Sequence, residues 1–145
     1  MKIYCFAVAA LTLFIDQATK FIAKSAGLRL HFNTGVSFGL LSDFGYLPTV
    51  VSSFLVLIVF AAVFTENRRM DTVVRLLLSL VLGGSLSNLA DRILFGSVVD
   101  WIPMPFSSLL FDGGLMFNAA DIAIGAGALC AAALLVFGRC ESERA

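Results

Sequence analysis

Four long apolar stretches dominate the sequence, at residues 3–23, 46–65, 72–92 and 118–137. A helix needs about 20 mostly apolar residues to cross a bilayer, and each stretch meets that length. Of the 145 residues, 59% are hydrophobic and only 14% are charged, whereas soluble domains carry about 25% charged residues. A soluble chain this short has too high a surface-to-volume ratio to hide so much apolar surface. The sequence therefore predicts an all-α membrane protein of four transmembrane helices, forming a single domain over residues 1–145.

The first apolar stretch follows a basic residue, Lys2, and so resembles a secretory signal peptide. No small-residue cleavage site follows it, and the run continues into Asp16 and Lys20. We therefore interpret it as a retained first span.

Basic residues cluster on one side of the membrane if all four stretches cross it. The positive-inside rule makes the richer side cytoplasmic, so both termini are expected there. The opposite side carries the two longer connections, with the smaller basic set Lys24, Arg29 and Arg92. The cytoplasmic set comprises Lys2, Arg68, Arg69, Arg75, Arg139 and Arg144.

The first outer connection alternates apolar and polar residues in "LRLHFN", residues 28–33. This period of two is typical of a strand with one apolar face. Gly35 and Gly39 follow as points where the chain can turn. We therefore predict a small extracytoplasmic β element at about residues 28–41, whose apolar face (Leu28, Leu30, Phe32) could shelter a substrate.

Ionisable and amide side chains within the spans gather at their outer ends. Such residues are costly in a membrane, and their default interpretation is functional. One topology places them all near the same outer interface, which predicts a site there. The set comprises Asp16, Lys20, Asn88, Asp91, Arg92, Asp100, Asn118 and Asp121.

Structural roles compete with functional ones for part of this set. Asp16 and Lys20, four residues apart on one helix face, are equally consistent with an ion pair between helices and with a role in the site. Asp91 and Arg92 favour a scaffold that holds the third and fourth spans in register, because the Arg92 fork can bind a carboxylate with two parallel bonds.

Asp100 and Asp121 favour catalysis instead. Each lies in an apolar context, "SVVDWI" or "FNAADIAI", without a basic neighbour in sequence. Two carboxylates close together in a poorly hydrated place cannot both ionise cheaply. One keeps its proton, and the pair then supplies an acid and a base at neutral pH. The sequence leaves open which aspartate has which role.

Other chemistries fit the sequence less well. A zinc peptidase needs more histidine than the single His31, and a magnesium or calcium site would rest on Asp91, Asp100 and Asp121 alone. "GGSLSN" lacks the last glycine of a nucleophile elbow, and nothing favours a Ser–Lys dyad using Lys20. The cysteines, odd in number, predict neither a disulfide framework nor a metal site. They are Cys5, Cys130 and Cys140.

Two non-enzymatic classes remain as alternatives. A small transporter or channel would place polar residues at several depths along its path, whereas the cytoplasmic halves of these spans are almost free of charge. An assembly factor would use the outer polar cluster as a docking surface. The formal net charge of zero does not suggest nucleic acid as a partner.

Five motifs occur in order along the chain, and together they resemble one family. They are "DQATK" (16–20), "FNTGVSFGL" (32–40), "GGSLSNLADR" (83–92), "GSVVDWI" (96–102) and "FNAAD" (117–121). The chain resembles the lipoprotein signal peptidases, or signal peptidase II family, over nearly its whole length. Ser87 departs from the pattern, since the family usually has glycine there. Its hydroxymethyl group is expected to tighten a helix contact or shift Asn88 without altering the chemistry.

The resemblance implies an aspartyl endopeptidase of the bacterial inner membrane with no cofactor or metal. Such an enzyme cleaves prolipoproteins before a diacylglyceryl-modified cysteine, so its partners are these substrates and membrane lipids. It implies that Asp100 and Asp121 are catalytic, at the outer leaflet. It implies support or substrate binding by Asp16, Lys20, Asn33, Asn88, Asp91, Arg92 and Asn118.

Overall fold

The structure is a computed structural model that describes residues 2–35, 46–64, 70–107 and 114–142. It contains four long helices: α1 (Lys2–Ser25), α2 (Leu47–Phe64), α3 (Thr72–Phe95) and α4 (Ala119–Ser142). All four are long and apolar enough to cross a membrane. The predicted fold class of four spanning helices is thereby confirmed, and each helix falls close to its predicted stretch.

The central helix of the bundle is α3, which packs against each of the other three helices. Half of the apolar segment of α3 is buried inside the protein, compared with 17–28% of the corresponding segments of the other helices. Large apolar side chains such as Phe14, Phe21, Phe54 and Phe137 are therefore exposed. This outward-facing apolar surface suits a chain whose solvent is lipid.

Two adjacent glycines let α3 approach its neighbours on opposite sides. A methyl group at Gly83 would overlap the Ala9 backbone of α1, and one at Gly84 would lie 2.8 Å from the Ala120 carbonyl oxygen of α4. Small residues allow such close contacts in lipid, where van der Waals packing replaces the hydrophobic drive for association. The pair therefore fixes how closely α1 and α4 flank α3.

Arg75 lies at the opposite end of α3 from the predicted polar site. Its side chain is 2% exposed, and its Nη1 donates a 2.6 Å hydrogen bond to the Val63 carbonyl oxygen. This oxygen belongs to the last turn of α2, where carbonyl groups lack partners within the helix. Arg75 thus joins α2 to α3 beside their connection.

The β structure is shared between the connection of α1 with α2 and the connection of α3 with α4. Strand β1 (His31–Asn33) pairs antiparallel with β2 (Val98–Asp100), and β3 (Ile102–Pro103) pairs with β4 (Met116–Phe117). The small β element predicted at about residues 28–41 is present as β1, residues 28–30 precede the strand, and residues 36–41 lie outside the described residues. The period-two pattern cannot reveal a partner strand, and backbone pairing with residues 98–100 limits β1 to three residues. Leu28 and Phe32 are exposed, as an outward apolar face requires, while Leu30 is half-buried.

Candidate active site

Asp100 ends strand β2, and the register pairs it with His31 of β1. Its side chain is only 1% exposed. Asn118 Nδ2 donates to Asp100 Oδ1 at 2.7 Å, and Asn33 Nδ2 donates to Oδ2 at 3.4 Å. Burial and the nearby Asp121 carboxylate raise the pKa of Asp100 to about 7, although both amide hydrogen bonds oppose the rise.

Asp121 lies in the first turn of α4, where a reciprocal pair of hydrogen bonds fixes its side chain. Asn118 Oδ1 accepts from the Asp121 backbone N–H at 2.9 Å, and Asp121 Oδ2 accepts from the Asn118 backbone N–H at 3.1 Å. This is a capping box, which satisfies N–H groups that a helix start would otherwise leave unpaired. The spacing in "FNAAD" thus begins the helix and aims the carboxylate at the same time.

Two asparagines connect the aspartates. Asn118 binds both, through its side chain to Asp100 and through its backbone to Asp121. Asn88 Nδ2 donates to Asp121 Oδ1 at 2.9 Å, while Asn88 Oδ1 accepts from Asn118 Nδ2 at 3.2 Å. The two amides therefore join α3 to α4 and orient both carboxylates.

Lys20 of α1 contacts one of these two asparagines, and its side chain is almost completely buried, at 5% exposure. Its Nζ contacts Asp16 Oδ2 at 2.6 Å, Asp91 Oδ2 at 2.8 Å and Asn88 Oδ1 at 3.1 Å. An ammonium has three donors, and these oxygens account for all of them. Lys20 thus links an acid on its own helix to α3 and, through Asn88, to Asp121.

Asp16 extends this linkage to the start of α4. Its Oδ1 accepts the Ala120 backbone N–H at 2.8 Å. A carboxylate at a helix N-terminus pairs an otherwise unsatisfied donor and interacts favourably with the helix dipole. Asp16 and Lys20 form an ion pair within α1, and the predicted ion pair between helices is formed by Lys20 with Asp91 of α3. Asp16 and Lys20 also contact Ala120 N–H and Asn88, so a structural role and a place in the site are compatible.

Gln17 and Ser87 belong to the same network, and sequence analysis assigned neither of them to the site. Ser87 Oγ donates to Asp16 Oδ2 at 2.7 Å, and Gln17 Nε2 donates to Ser87 Oγ at 2.9 Å and to Asp91 Oδ1 at 2.8 Å. The Ser87 hydroxyl thus forms hydrogen bonds between α3 and α1. The sequence does contain an indication of this role for Gln17, because its side chain is an amide within a predicted span and directly follows Asp16.

Asp91 and Arg92 do not hold α3 and α4 in register, so that prediction is wrong. Asp91 faces α1, where its carboxylate binds Lys20 and Gln17. Arg92 Nη2 donates to the Gly35 carbonyl oxygen at 2.6 Å, and no carboxylate of a described residue lies within ion-pair distance of it. The reason is geometric, because consecutive residues on a helix point about 100° apart and meet different neighbours.

A cavity of about 440 Å³ opens beside the two aspartates. Its polar wall includes Asp100, Asp121, Asn33, Asn88 and Arg92, while helices α2, α3 and α4 supply its other sides. The structure thus brings most of the predicted polar residues to one cavity. The exceptions are Asp16, Lys20, Asp91 and Asn118, which do not line it.

The residues around the cavity do not form a recognisable metal site. Within residues 2–35, 46–64, 70–107 and 114–142, no group of three or more His, Cys, Asp or Glu side chains is arranged to hold an ion. The arrangement supplies instead two carboxylates in different surroundings, held by neutral amides. Such a pair can transfer protons to and from a water molecule.

Comparison with known proteins gives the family of this chain. The family model described as signal peptidase (SPase) II matches residues 8–137, which is most of the sequence. The chain belongs to the signal peptidase II family. It is accordingly a peptidase of the aspartic class, with four membrane-spanning helices.

Individual signal peptidase II relatives match over most of their length. The lipoprotein signal peptidase of Syntrophotalea carbinolica is 34% identical over 137 residues, which cover 83% of each chain. That of Pseudomonas putida is 34% identical over 144 residues, covering 84% of this chain and 80% of the relative. A solved bacterial membrane enzyme shares the fold, with a TM-score of 0.72 at 23% identity over 92% of this chain and 87% of that one.

Replacing Lys20 tests how strongly the fold depends on its ion pairs. Lys20→Met should lower the free energy of unfolding by roughly 3–5 kcal/mol, because two buried carboxylates lose their cation. The thermal midpoint in detergent should fall by several degrees. Lys24→Met is the matched control, since Lys24 is exposed near the end of the same helix. Equal midpoints for both variants would contradict the role given to Lys20.

Proposed function

We propose that Asp100 and Asp121 are the catalytic residues with which this peptidase removes signal peptides from prolipoproteins. The supporting observation is that the two carboxylates, bound to one asparagine, line the same cavity. Family membership supplies the reaction, and the cavity supplies a place for the scissile carbonyl. We further propose that residues 1–145 act as a single domain.

Their surroundings support different roles for the two aspartates. Both carboxylates accept hydrogen bonds at each oxygen, but Asp121 alone lies in the first turn of a helix, where the helix dipole favours negative charge. Asp100, with its raised pKa of about 7, is suited to keep a proton. In our proposal Asp121 is the base that removes a proton from water, and Asp100 is the acid.

The reaction then follows from these protonation states. Water loses a proton to Asp121 as its oxygen attacks the scissile carbonyl, and Asp100 donates its proton to the developing oxyanion or to the leaving amine. Asn88 and Asn118 hold the two carboxylates in place while the charge moves. Asp16, Lys20 and Asp91 position these amides and the start of α4. Arg92 and Asn33 line the cavity, where they can contact substrate.

Removing either carboxylate tests the assignment. Asp100→Asn and Asp121→Asn should each reduce kcat by at least about 10³-fold, since loss of one member disables the acid–base pair. Turnover of a lipidated preprolipoprotein measures the effect, and the thermal midpoint confirms folding. Asp71→Asn, at the start of α3 beside the other end of the bundle, is the control. Loss of the parent's activity in a chelator, with restoration by zinc or magnesium, would contradict this metal-free mechanism.

The rate should fall as pH rises through about 7, because Asp100 then loses the proton that it must donate. The free energy of unfolding should change in the same direction, since a carboxyl whose pKa is raised by folding stabilises the fold at low pH and loses that contribution as pH rises through its folded pKa.

Asn33→Ala should move the decline of kcat/KM at high pH to a still higher pH, because it removes a hydrogen bond that lowers the pKa of Asp100.

His31→Gln is the control for this pH dependence. His31 also lines the cavity and is the partner of Asp100 in the pairing of β1 with β2. The decline of the rate above pH about 7 should persist in His31→Gln. Its disappearance there would contradict the assignment of this pH dependence to Asp100.

The substrate in our proposal carries a diacylglyceryl group on the cysteine that follows the scissile bond. The cavity reaches from the β strands to the membrane-spanning part of α2 and α4, so a substrate must enter at membrane depth. Each buried methylene contributes about 0.8 kcal/mol to membrane binding, so two acyl chains hold the scissile bond near one depth. Exposed Leu28 and Phe32 provide an apolar surface beside β1 for these chains.

A matched pair of substrates tests the lipid requirement. One preprolipoprotein is compared with and without its diacylglyceryl group in the same nanodiscs. The lipidated form should have the higher kcat/KM, because remote binding energy positions the reacting carbonyl. Equal values for the two forms would remove this account of specificity while leaving the peptidase assignment intact.

We also propose that the protein lies in the bacterial inner membrane, with both termini cytoplasmic and the active site at the outer leaflet. The distribution of basic residues supports this orientation. In a cysteine-free variant, a single cysteine at position 67 should react with an impermeant thiol reagent only after the membrane is opened. Position 67 lies outside the described residues. Labelling from outside intact cells would reverse the topology.

A further inference from the structure

The membrane-facing part of the cavity is lined by small and apolar side chains. Ser52 and Leu55 come from α2, Ser85 from α3, and Ile124 and Gly125 from α4. This part extends away from the two aspartates along the helices. It has the composition of a site for a peptide segment with apolar side chains.

Packing does not account for a glycine at position 125. Among the described residues, no atom lies within 4 Å of a methyl group built on Gly125, whereas one on Gly127 would lie 2.7 Å from the Leu77 carbonyl oxygen of α3. The φ angle of Gly125 is not positive, unlike those of Gly27, Gly96 and Gly114. Glycine is among the least favourable residues inside a helix. Glycine also serves where a ligand approaches the backbone closely, and Gly125 lines the cavity.

The position of Gly125 identifies which part of a substrate it would meet. Gly125 follows Asp121 by four residues, so both lie on one helix face about 6 Å apart along the axis. An extended peptide advances about 3.3 Å per residue. Gly125 is therefore about two residues along a bound peptide from the scissile bond, toward the interior of the membrane. In the proposed topology, the signal peptide lies on that side.

We propose that Gly125 is a specificity-determining residue whose missing side chain makes room for the last two residues of the signal peptide. This inference rests on the proposed function, and it concerns the size of the side chains that the site accepts. A larger residue at position 125 would fill the space that these substrate residues occupy. It would act on binding and leave the proton chemistry of the aspartates unchanged.

A size series at position 125 tests the proposal. Gly125→Ala and Gly125→Leu should keep or raise the thermal midpoint, because the space is open and both residues favour a helix. With a lipidated preprolipoprotein, Gly125→Leu should lower kcat/KM by about tenfold or more, mainly through KM, and Gly125→Ala should have a smaller effect. The control is Ala126→Leu, an exposed position that does not line the cavity, and it should retain the parent's kcat/KM.

A complementary change in the substrate gives a second readout that a general structural defect would not produce. Glycine at the two residues before the scissile bond should restore most of the cleavage by Gly125→Ala, whereas leucine there should abolish it. The pH dependence of kcat/KM should match that of the parent. Both results would support a steric role for position 125.

The outcomes separate this inference from the proposed function. If Gly125→Leu cleaves as efficiently as an active parent, the inference is overturned and the peptidase assignment stands. If its loss of activity is independent of substrate size, or comes with a lower thermal midpoint, position 125 is structural and the inference is again overturned. If neither the parent nor Ala126→Leu cleaves lipidated preprolipoprotein, the proposed function fails, and the inference fails with it.

Discussion

The buried ammonium of Lys20 is the interaction on which the arrangement of this site depends. A charge removed from both water and lipid headgroups is tolerated only when it is paired and hydrogen-bonded. Asp16, Asp91 and Asn88 satisfy it with three oxygens from two helices. Because each oxygen has other partners as well, satisfying Lys20 fixes the relative positions of α1 and α3. The same contacts carry that constraint to α4, through the Asp16 bond to Ala120 N–H.

Close apolar packing occurs near the middle of α3, and polar contacts dominate at the end that leads into β2. Near the middle of the bundle, Gly83 and Gly84 let the helices approach closely. Toward the end that leads into β2, side-chain amides and charges replace the close packing. A polar network at one end of a helix bundle leaves the remaining length free to match the membrane, since few groups there need hydrogen-bond partners from outside the helices. Apart from Arg75, which bonds to α2 at the other end of α3, the buried charges of the described residues gather at this end, which fits a site for chemistry better than a path through the membrane.

The two aspartates share their amide partners but differ in their secondary structure. Asp121 lies in the first turn of a helix, whereas Asp100 ends a short strand and is almost fully buried. In the proposed mechanism, these different environments give an acid and a base from identical side chains. The paired strands β1 and β2 matter for the same reason, because they place Asn33 next to Asp100. A short β element therefore tunes a group that the helices alone could not reach.

Local patterns in the sequence determined the four spans and the clustering of the polar residues at one end of them. The length and the hydropathy of a span depend only on its own residues, so both could be determined from the sequence without a structure. The "FNAAD" spacing likewise specified the capping box around Asp121. The motifs together indicated the family and, by resemblance, the residues of the site.

Only the tertiary structure decided which polar residues meet. The attachment of Asp91 to α1, the pairing of β1 with β2, and the contacts of Gln17 and Ser87 all join positions far apart in sequence. The open space at Gly125 is also a property of the assembled helices. Helix periodicity gives the direction of a side chain relative to its own axis, but the rotation and depth of each helix against its neighbours come from packing. These two quantities decide which partner a buried charge finds.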